Sequence, residues 1–324
     1  MSETLSTQAA LAPVRRQRKT RPFPLSLFTR RNLTGYAFVG PWVFGFLVFT
    51  LLPFLASFGL SLTRWDLVNP PIFVGAGNYS KMFLEDRLFR ITLWNTLYYS
   101  TFSVPGIQIL ALLLALVLNQ KLKGIAVYRT LFYLPAITPG VANAFLWVQL
   151  FNPRIGMINN ILAKIGIAGP NWLYDMTWSM PALIIMSFWG CGGAMIIYLA
   201  GLQGVPTHLY EAAEVDGATV WDKFWNVTIP MITPTMFFNL VMGIIGSFQV
   251  FTSAFIMTGG GPAYRTLFYT LYLFYQAFYD FRTGYASALA WVLFLIVLVL
   301  TLTQLALSRR WVYYEAAASG RGVL

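Results

Sequence analysis

The sequence predicts an all-α, polytopic membrane protein with six transmembrane helices and a folded cytoplasmic loop. Three observations predict it. Hydrophobic residues make up 57% of the chain and charged residues only 10%, whereas a soluble domain carries about 25% charge. Mean hydropathy is +0.63. Six stretches contain no Asp, Glu, Lys or Arg: 32–63, 91–120, 130–153, 176–210, 224–264 and 283–308. Each exceeds the roughly 20 residues a helix needs to cross the hydrocarbon core. Such continuous runs suit helices, which satisfy their own backbone groups, and not ten-residue alternating barrel strands.

The elements follow in order. Residues 1–31 form a basic tail with Arg15, Arg16, Arg18, Lys19, Arg21, Arg30 and Arg31. No short apolar core with a small-residue cleavage site precedes the first span, so no cleavable signal is expected. The first span lies near 36–62, with Pro41 and Pro53 near its ends. An outer segment, 63–90, carries turn chemistry in Asn69-Pro70-Pro71 and Gly75-Ala76-Gly77. The second span lies near 94–118. A short inner loop with Lys121 and Lys123 leads to the third, near 131–151, where Pro135 and Pro139 should break or kink the helix. After a second outer segment, 152–177, come the fourth span near 180–202, the fifth near 234–257 and the sixth near 285–307. The aromatic stretch 266–279 is too short to span and reads as an interfacial helix. Residues 309–324 form a second tail around a core of 32–308. The single cysteine, Cys191, falls inside the fourth span, which excludes an intrachain disulfide.

The net charge of +11 needs no nucleic acid to explain it. The basic tail, Lys121, Lys123, Arg309 and Arg310 would share one side, and the positive-inside rule makes that side cytoplasmic. Six spans then leave both termini in the cytoplasm of a cell-membrane protein.

The loop before the fifth span breaks the charge pattern. Of eleven acidic residues, Glu211, Glu214, Asp216 and Asp222 fall within twelve positions. The segment reads as two short helices. Pro206-Thr207 starts the first, with Thr207 able to cap it and the glutamates in its first turns. Gly217 ends or bends it. The second places Trp221, Phe224, Trp225 and Thr228 on one face, until Pro230 stops it and Pro234 opens the fifth span. On residues alone, an ordinary interfacial helix and a docking surface are equally good readings.

The order of residues adds a resemblance. Glu211-Ala212-Ala213, Asp216-Gly217-Ala218, Ile229-Pro230 and then Pro234 resemble the signature loop (204–230 here) of permease subunits of binding-protein-dependent ABC importers. Thr258-Gly259-Gly260-Gly261-Pro262 and Gly284-Tyr285-Ala286-Ser287-Ala288 are similar to the carbohydrate branch, the MalF type. The large extracellular insertion and extra N-terminal spans of MalF itself are missing. The resemblance implies a coupling helix seated on a cytoplasmic ATP-binding subunit, with Glu211 facing basic groups and Gly217 permitting the bend. It also implies a second permease subunit in a heterodimer, an extracytoplasmic solute-binding protein, and no cofactor in this chain. Polyols, glycerol-3-phosphate and peptides are the other solute classes it allows.

The spans themselves bear on energy and substrate. Their interiors carry no Asp, Glu, Lys or Arg, which ion-coupled transporters usually need as proton or cation sites. The same lack of carboxylate and histidine argues against an intramembrane enzyme. No G-x-x-x-x-G-K-[ST] occurs, so a separate ATPase is expected. A path for a polar, uncharged ligand would use rings and amides. Trp189 and Tyr198 in the fourth span, and Asn239, Phe248, Gln249 and Phe251 in the fifth, are the candidates; the amides could equally bond a neighbouring helix.

Overall fold

The computed structural model describes residues 30–120 and 123–313. The tail before residue 30, Lys121 and residues from 314 onward lie outside the described residues, as does the part of the orientation argument that rests on them. The chain divides into two units, 1–55 and 56–324.

In the first unit, α1 (Arg30–Phe46) passes through a π-helical turn (Leu47–Leu51) into the start of α2 (Leu52–Ser61), whose residues from Ala56 belong to the second unit. Gly35–Ser61 is a helix of 27 residues with no buried residue in its apolar window. Phe38, Trp42 and Phe49 are all exposed, an apolar surface suited to lipid. The π turn precedes Pro53 by two residues, and a second one (Phe224–Thr228) stands at the same offset from Pro230. Proline lacks an N–H and pushes on the carbonyl four residues back. A widened i→i−5 turn relieves both problems, and the bonds Leu52 N–H to Leu47 O and Ile229 N–H to Phe224 O are of that kind.

After the end of α2, the second unit continues with a two-stranded antiparallel hairpin, β1 (Thr63–Arg64) and β2 (Ile72–Phe73), and α3 (Gly77–Leu84). The long α4 (Arg87–Leu118) is its central post. Around it stand α8 (Ser179–Trp189), α9 (Gly192–Gln203), α12 (Ile229–Ser247) and α14 (Tyr269–Phe278). The other elements are α5 (Ile125–Ile137), α6 (Gly140–Leu150), α7 (Met157–Lys164), α10 (Thr207–Val215), α11 (Val220–Lys223), α13 (Thr252–Met257) and α15 (Thr283–Ser308). One buried cluster joins Phe89 and Tyr99 of α4 to Met180, Leu267 and Tyr285. The other joins Ala111, Ala115 and Leu118 to Tyr198, Leu202 and Ile232. Cys191 is a buried member of the latter.

Among the described residues, four helices are long and apolar enough to cross a membrane; six crossings result if each of two bent pairs is one span. The α5–α6 pair bends by 98° at Thr138-Pro139, where the prolines predict a break. The α8–α9 pair bends by 43° at Gly190-Cys191. At that bend the backbone of Gly192 meets α5 so closely that a Cβ there would lie 2.2 Å from Phe132 O.

Three expectations need correction. The fifth span is not 234–257: one helix runs from Val220 to Ser247, and α13 is separate. Pro230 does not stop the elbow helix, because the π turn carries the chain past it. The aromatic stretch is not laid on a surface. In α14, Tyr269 and Leu271 have no exposure; Tyr269 donates its hydroxyl to Leu289 O at 2.9 Å and its N–H to Thr96 Oγ1 at 3.1 Å.

Asp86 ties three of these helices at one point. It caps α4 by accepting from Leu88 N and Phe89 N. Its other oxygen accepts from Tyr272 Oη of α14 at 2.6 Å and from Tyr285 Oη of α15. Burial pushes this carboxyl up, but the hydrogen bonds from Tyr272, Tyr285, Phe89 and Leu88 outweigh burial and hold it below the ordinary carboxylate value. Its stabilisation is therefore complete above an ordinary carboxylate pKa of about 3.9 and is lost as pH falls through the lower folded value. Asp86→Ala removes a cap and strands two tyrosine hydroxyls, for an expected loss of roughly 2–4 kcal/mol. Denaturation of the purified variant in detergent checks this, and the acid dependence assigned to Asp86 should vanish with it.

Candidate functional site

The acidic segment folds as an elbow whose shape its own side chains maintain. α10 ends in a Schellman arrangement: Ala218 N donates to Ala213 O at 2.9 Å and Gly217 N to Glu214 O at 3.0 Å. Gly217 holds φ +77° with open space where a Cβ would stand, so backbone conformation and not crowding selects glycine. α11 begins with a capping box in which Thr219 and Asp222 satisfy each other's backbone N–H. Lys223 Nζ reaches back to Glu214 Oε1 at 2.7 Å, and this contact, by hydrogen bond and charge, holds the Glu214 carboxyl below its ordinary range. Tyr210 Oη and Thr228 Oγ1, 3.0 Å apart, pin α10 to the π turn.

The four acids thus divide. Glu214 and Asp222 shape the elbow. Glu211 and Asp216 stand exposed on it, with no side-chain hydrogen bond or ion pair among the described residues. Thr207 starts α10 but does not cap it, since the cap position is Pro206. Glu211 falls in the second turn and Glu214 near the C-terminal end, not in the first turn. Val215, Val220, Trp221 and Trp225 are exposed around these two acids. Ala212 is exposed, whereas Ala213, Ala218, Ile229 and Pro230 are half-buried.

Inside the bundle, the path candidates separate by burial. Tyr198, Asn239 and Phe248 are buried. Tyr198 Oη donates to Gln108 Oε1 at 2.8 Å, Gln108 Nε2 donates to Asn239 O at 3.1 Å, and Asn239 Nδ2 donates to Ala194 O at 3.3 Å. That chain of bonds locks α4, α9 and α12 together. Phe251 stacks on Phe255. Trp189 and Gln249 remain exposed. A cavity of about 320 Å³ lies beside the lock, lined by Tyr99, Ser103, Gln108, Ser187 and Ser247 among others. Its lining is uncharged and mostly apolar, with Val104, Ile107, Met242 and Val250 set among those few polar groups. The sequence reading passed over Gln108 and these serines; Gln108 was detectable as the one amide between Asn95 and Asn119 in an apolar run.

Residues 107–313 match the family model described as the binding-protein-dependent transport system inner membrane component. The chain is 44% identical over 289 residues to the probable ABC transporter permease protein YesP of Bacillus subtilis, covering 88% of this chain and 93% of that one. It is 34% identical over 284 residues to the trehalose/maltose transport system permease protein MalF of Thermococcus litoralis, covering 86% and 95%. It is similar to a chain of a bacterial alginate ABC transporter solved in complex with alginate pentasaccharide-bound periplasmic protein, with a TM-score of 0.77, 26% identity and coverage of 87% and 96%.

The capping box yields a local test. Thr219→Ala should cost about 1 kcal/mol, read as an approximately fivefold loss of amide hydrogen-exchange protection at residues 221–223, with the core of α4 unchanged.

Proposed function

Because this chain belongs to the binding-protein-dependent transport system inner membrane components, we propose that it is the membrane-spanning permease subunit of an ATP-driven sugar importer. Sugar as the solute class is supported by the trehalose/maltose and alginate systems that its relatives serve, and is compatible with the uncharged lining of the cavity beside Gln108. In this reading the chain has a core of 32–308 with six crossings, counting each bent pair once, and both tails, 1–31 and 309–324, face the cytoplasm. A second permease completes the pathway. Cytoplasmic subunits bind ATP, and a solute-binding protein delivers sugar from outside. Trp189, whose ring also meets Trp147 edge-on, and Gln249 are the exposed sequence candidates to meet it. Tyr198, Asn239 and Phe248 act behind them, as the wall.

The elbow carries the mechanism. A segment braced by a Schellman end, a capping box and an ion pair moves as one piece. Its exposed Glu211 and Asp216, ringed by Val215, Val220 and Trp221, offer an anchor of mixed charge and apolar area to an ATP-binding subunit. When the ATPase pair closes, the elbow shifts. Its second half is continuous with the span Val220–Ser247, so the shift passes directly into the bundle, which rocks between inward and outward openings.

Glu211→Lys with Gly217→Val reverses the anchoring charge and forces a β-branched residue to positive φ. In proteoliposomes of the assembled transporter, sugar uptake per ATP hydrolysed should fall at least tenfold while the complex still assembles. Uptake and coupling at wild-type levels in this double variant would sink the proposal.

A further inference from the structure

At the end of α4 away from the elbow, two adjoining cavities of about 420 and 250 Å³ share Trp94, Asn95 and Arg265 in their walls. The larger is also lined by Arg87 and Arg90, and the smaller by Tyr98. No acidic residue lines either one. None of these three arginine side chains makes a hydrogen bond or ion pair among the described residues, whose one ion pair is Lys223–Glu214. Glu85, two residues before Arg87, is exposed and lines neither cavity; two other nearby acids are engaged elsewhere. Asp86 is occupied by two tyrosines and the α4 amides. Asp175 accepts from Thr177 N and Trp178 N.

The arginines come from two parts of the chain: Arg87 and Arg90 stand one turn apart on α4, and Arg265 sits on a fastened backbone turn. Arg265 follows Ala263 and Tyr264, both at positive φ. That turn is fastened to α4 by the buried Asn95, whose Nδ2 donates to Tyr264 O at 2.7 Å and Leu267 O at 3.0 Å. Thr266 Oγ1 donates to Gly261 O at 2.6 Å on the turn's other side. Trp94 presents an exposed ring between the two cavities. Guanidinium forks match carboxylates bidentately, and an open aromatic face accepts a pyranose ring. The combined volume suits a small ligand, whose pockets run about 300–1,000 Å³.

We infer that this is a recognition site for a carboxylated saccharide, one that bears uronate groups, at the outer mouth of the transport path. The inference rests on the sugar-import reading and narrows its substrate class. An anionic lipid headgroup offers the same oxyanion chemistry, so the test must separate the two sources. The permease pair is placed in phosphatidylcholine nanodiscs and titrated calorimetrically with alginate trisaccharide, its methyl ester and maltotriose.

The acid should bind at least tenfold more tightly than the ester or maltotriose. Arg90→Gln with Arg265→Gln should abolish that preference while leaving the melting temperature unchanged. Arg265→Lys should retain only part of it. Equal binding of acid and ester, no binding of the acid, or loss of acid binding when phosphatidylglycerol replaces phosphatidylcholine would each overturn the inference, the last by assigning the site to lipid. ATP-driven uptake by the whole transporter separates the two levels of the argument. Import of a neutral sugar unaffected by the Gln substitutions rejects the site alone, whereas no ATP-driven sugar import at all rejects the function.

Discussion

A polar group that loses water inside a bilayer must find a partner within the protein, and most of this structure follows from that constraint. Backbone groups are satisfied by helices. Where prolines interrupt the ladder at Pro53 and Pro230, π turns re-route the bonds instead of leaving a gap. Many buried side chains follow the same rule, although Trp147 Nε1, Ser179 Oγ and Gln304 Oε1 are among those left without a partner. Ser247 Oγ donates to Ser100 Oγ at 2.7 Å, and Tyr198, Gln108 and Asn239 satisfy one another across three helices. The price of such a dry, uncharged interior is that charge has to work at the two ends of the bundle.

Each end uses its charges differently. At the elbow, half of the acids are consumed in holding a shape, and the remaining two stand free among exposed apolar side chains. Rigidity and recognition are thereby assigned to different residues of one short segment. At the far end, Asp86 is spent in the same structural way, drawing Tyr272 and Tyr285 onto the α4 terminus. Removing that acid from circulation leaves Arg87, Arg90 and Arg265 facing cavities with no counter-charge. The bundle between the ends is continuous: α4 contributes to both buried clusters, so motion at one terminus is carried by a single packed post.

Local chemistry made much of this legible. Charge-free runs marked the helices, Pro135 and Pro139 marked the 98° bend, and the loop's residue order pointed to the family. What stayed hidden depends on partners far apart in sequence. Nothing near Asp86 announces Tyr272 or Tyr285, and nothing near Asn95 announces the turn at Tyr264. The aromatic stretch was misread because its hydrophobicity suits an interface as well as a core, and only its neighbours α4 and α15 decide. Thr219-x-x-Asp222 is a capping signal legible in the sequence, but charge alone does not distinguish Asp222 from Glu211 and Asp216; the capping box does.

A bundle whose charge-free stretches carry no Asp, Glu, Lys or Arg is driven from outside through the elbow. Accumulation of sugar in proteoliposomes containing the assembled transporter, binding protein outside and ATP inside, measures this most directly when ionophores collapse proton and sodium gradients. The account predicts uptake that requires ATP and is unchanged by ionophores. Uptake that persists without ATP, or that collapses with the ion gradients, would contradict it.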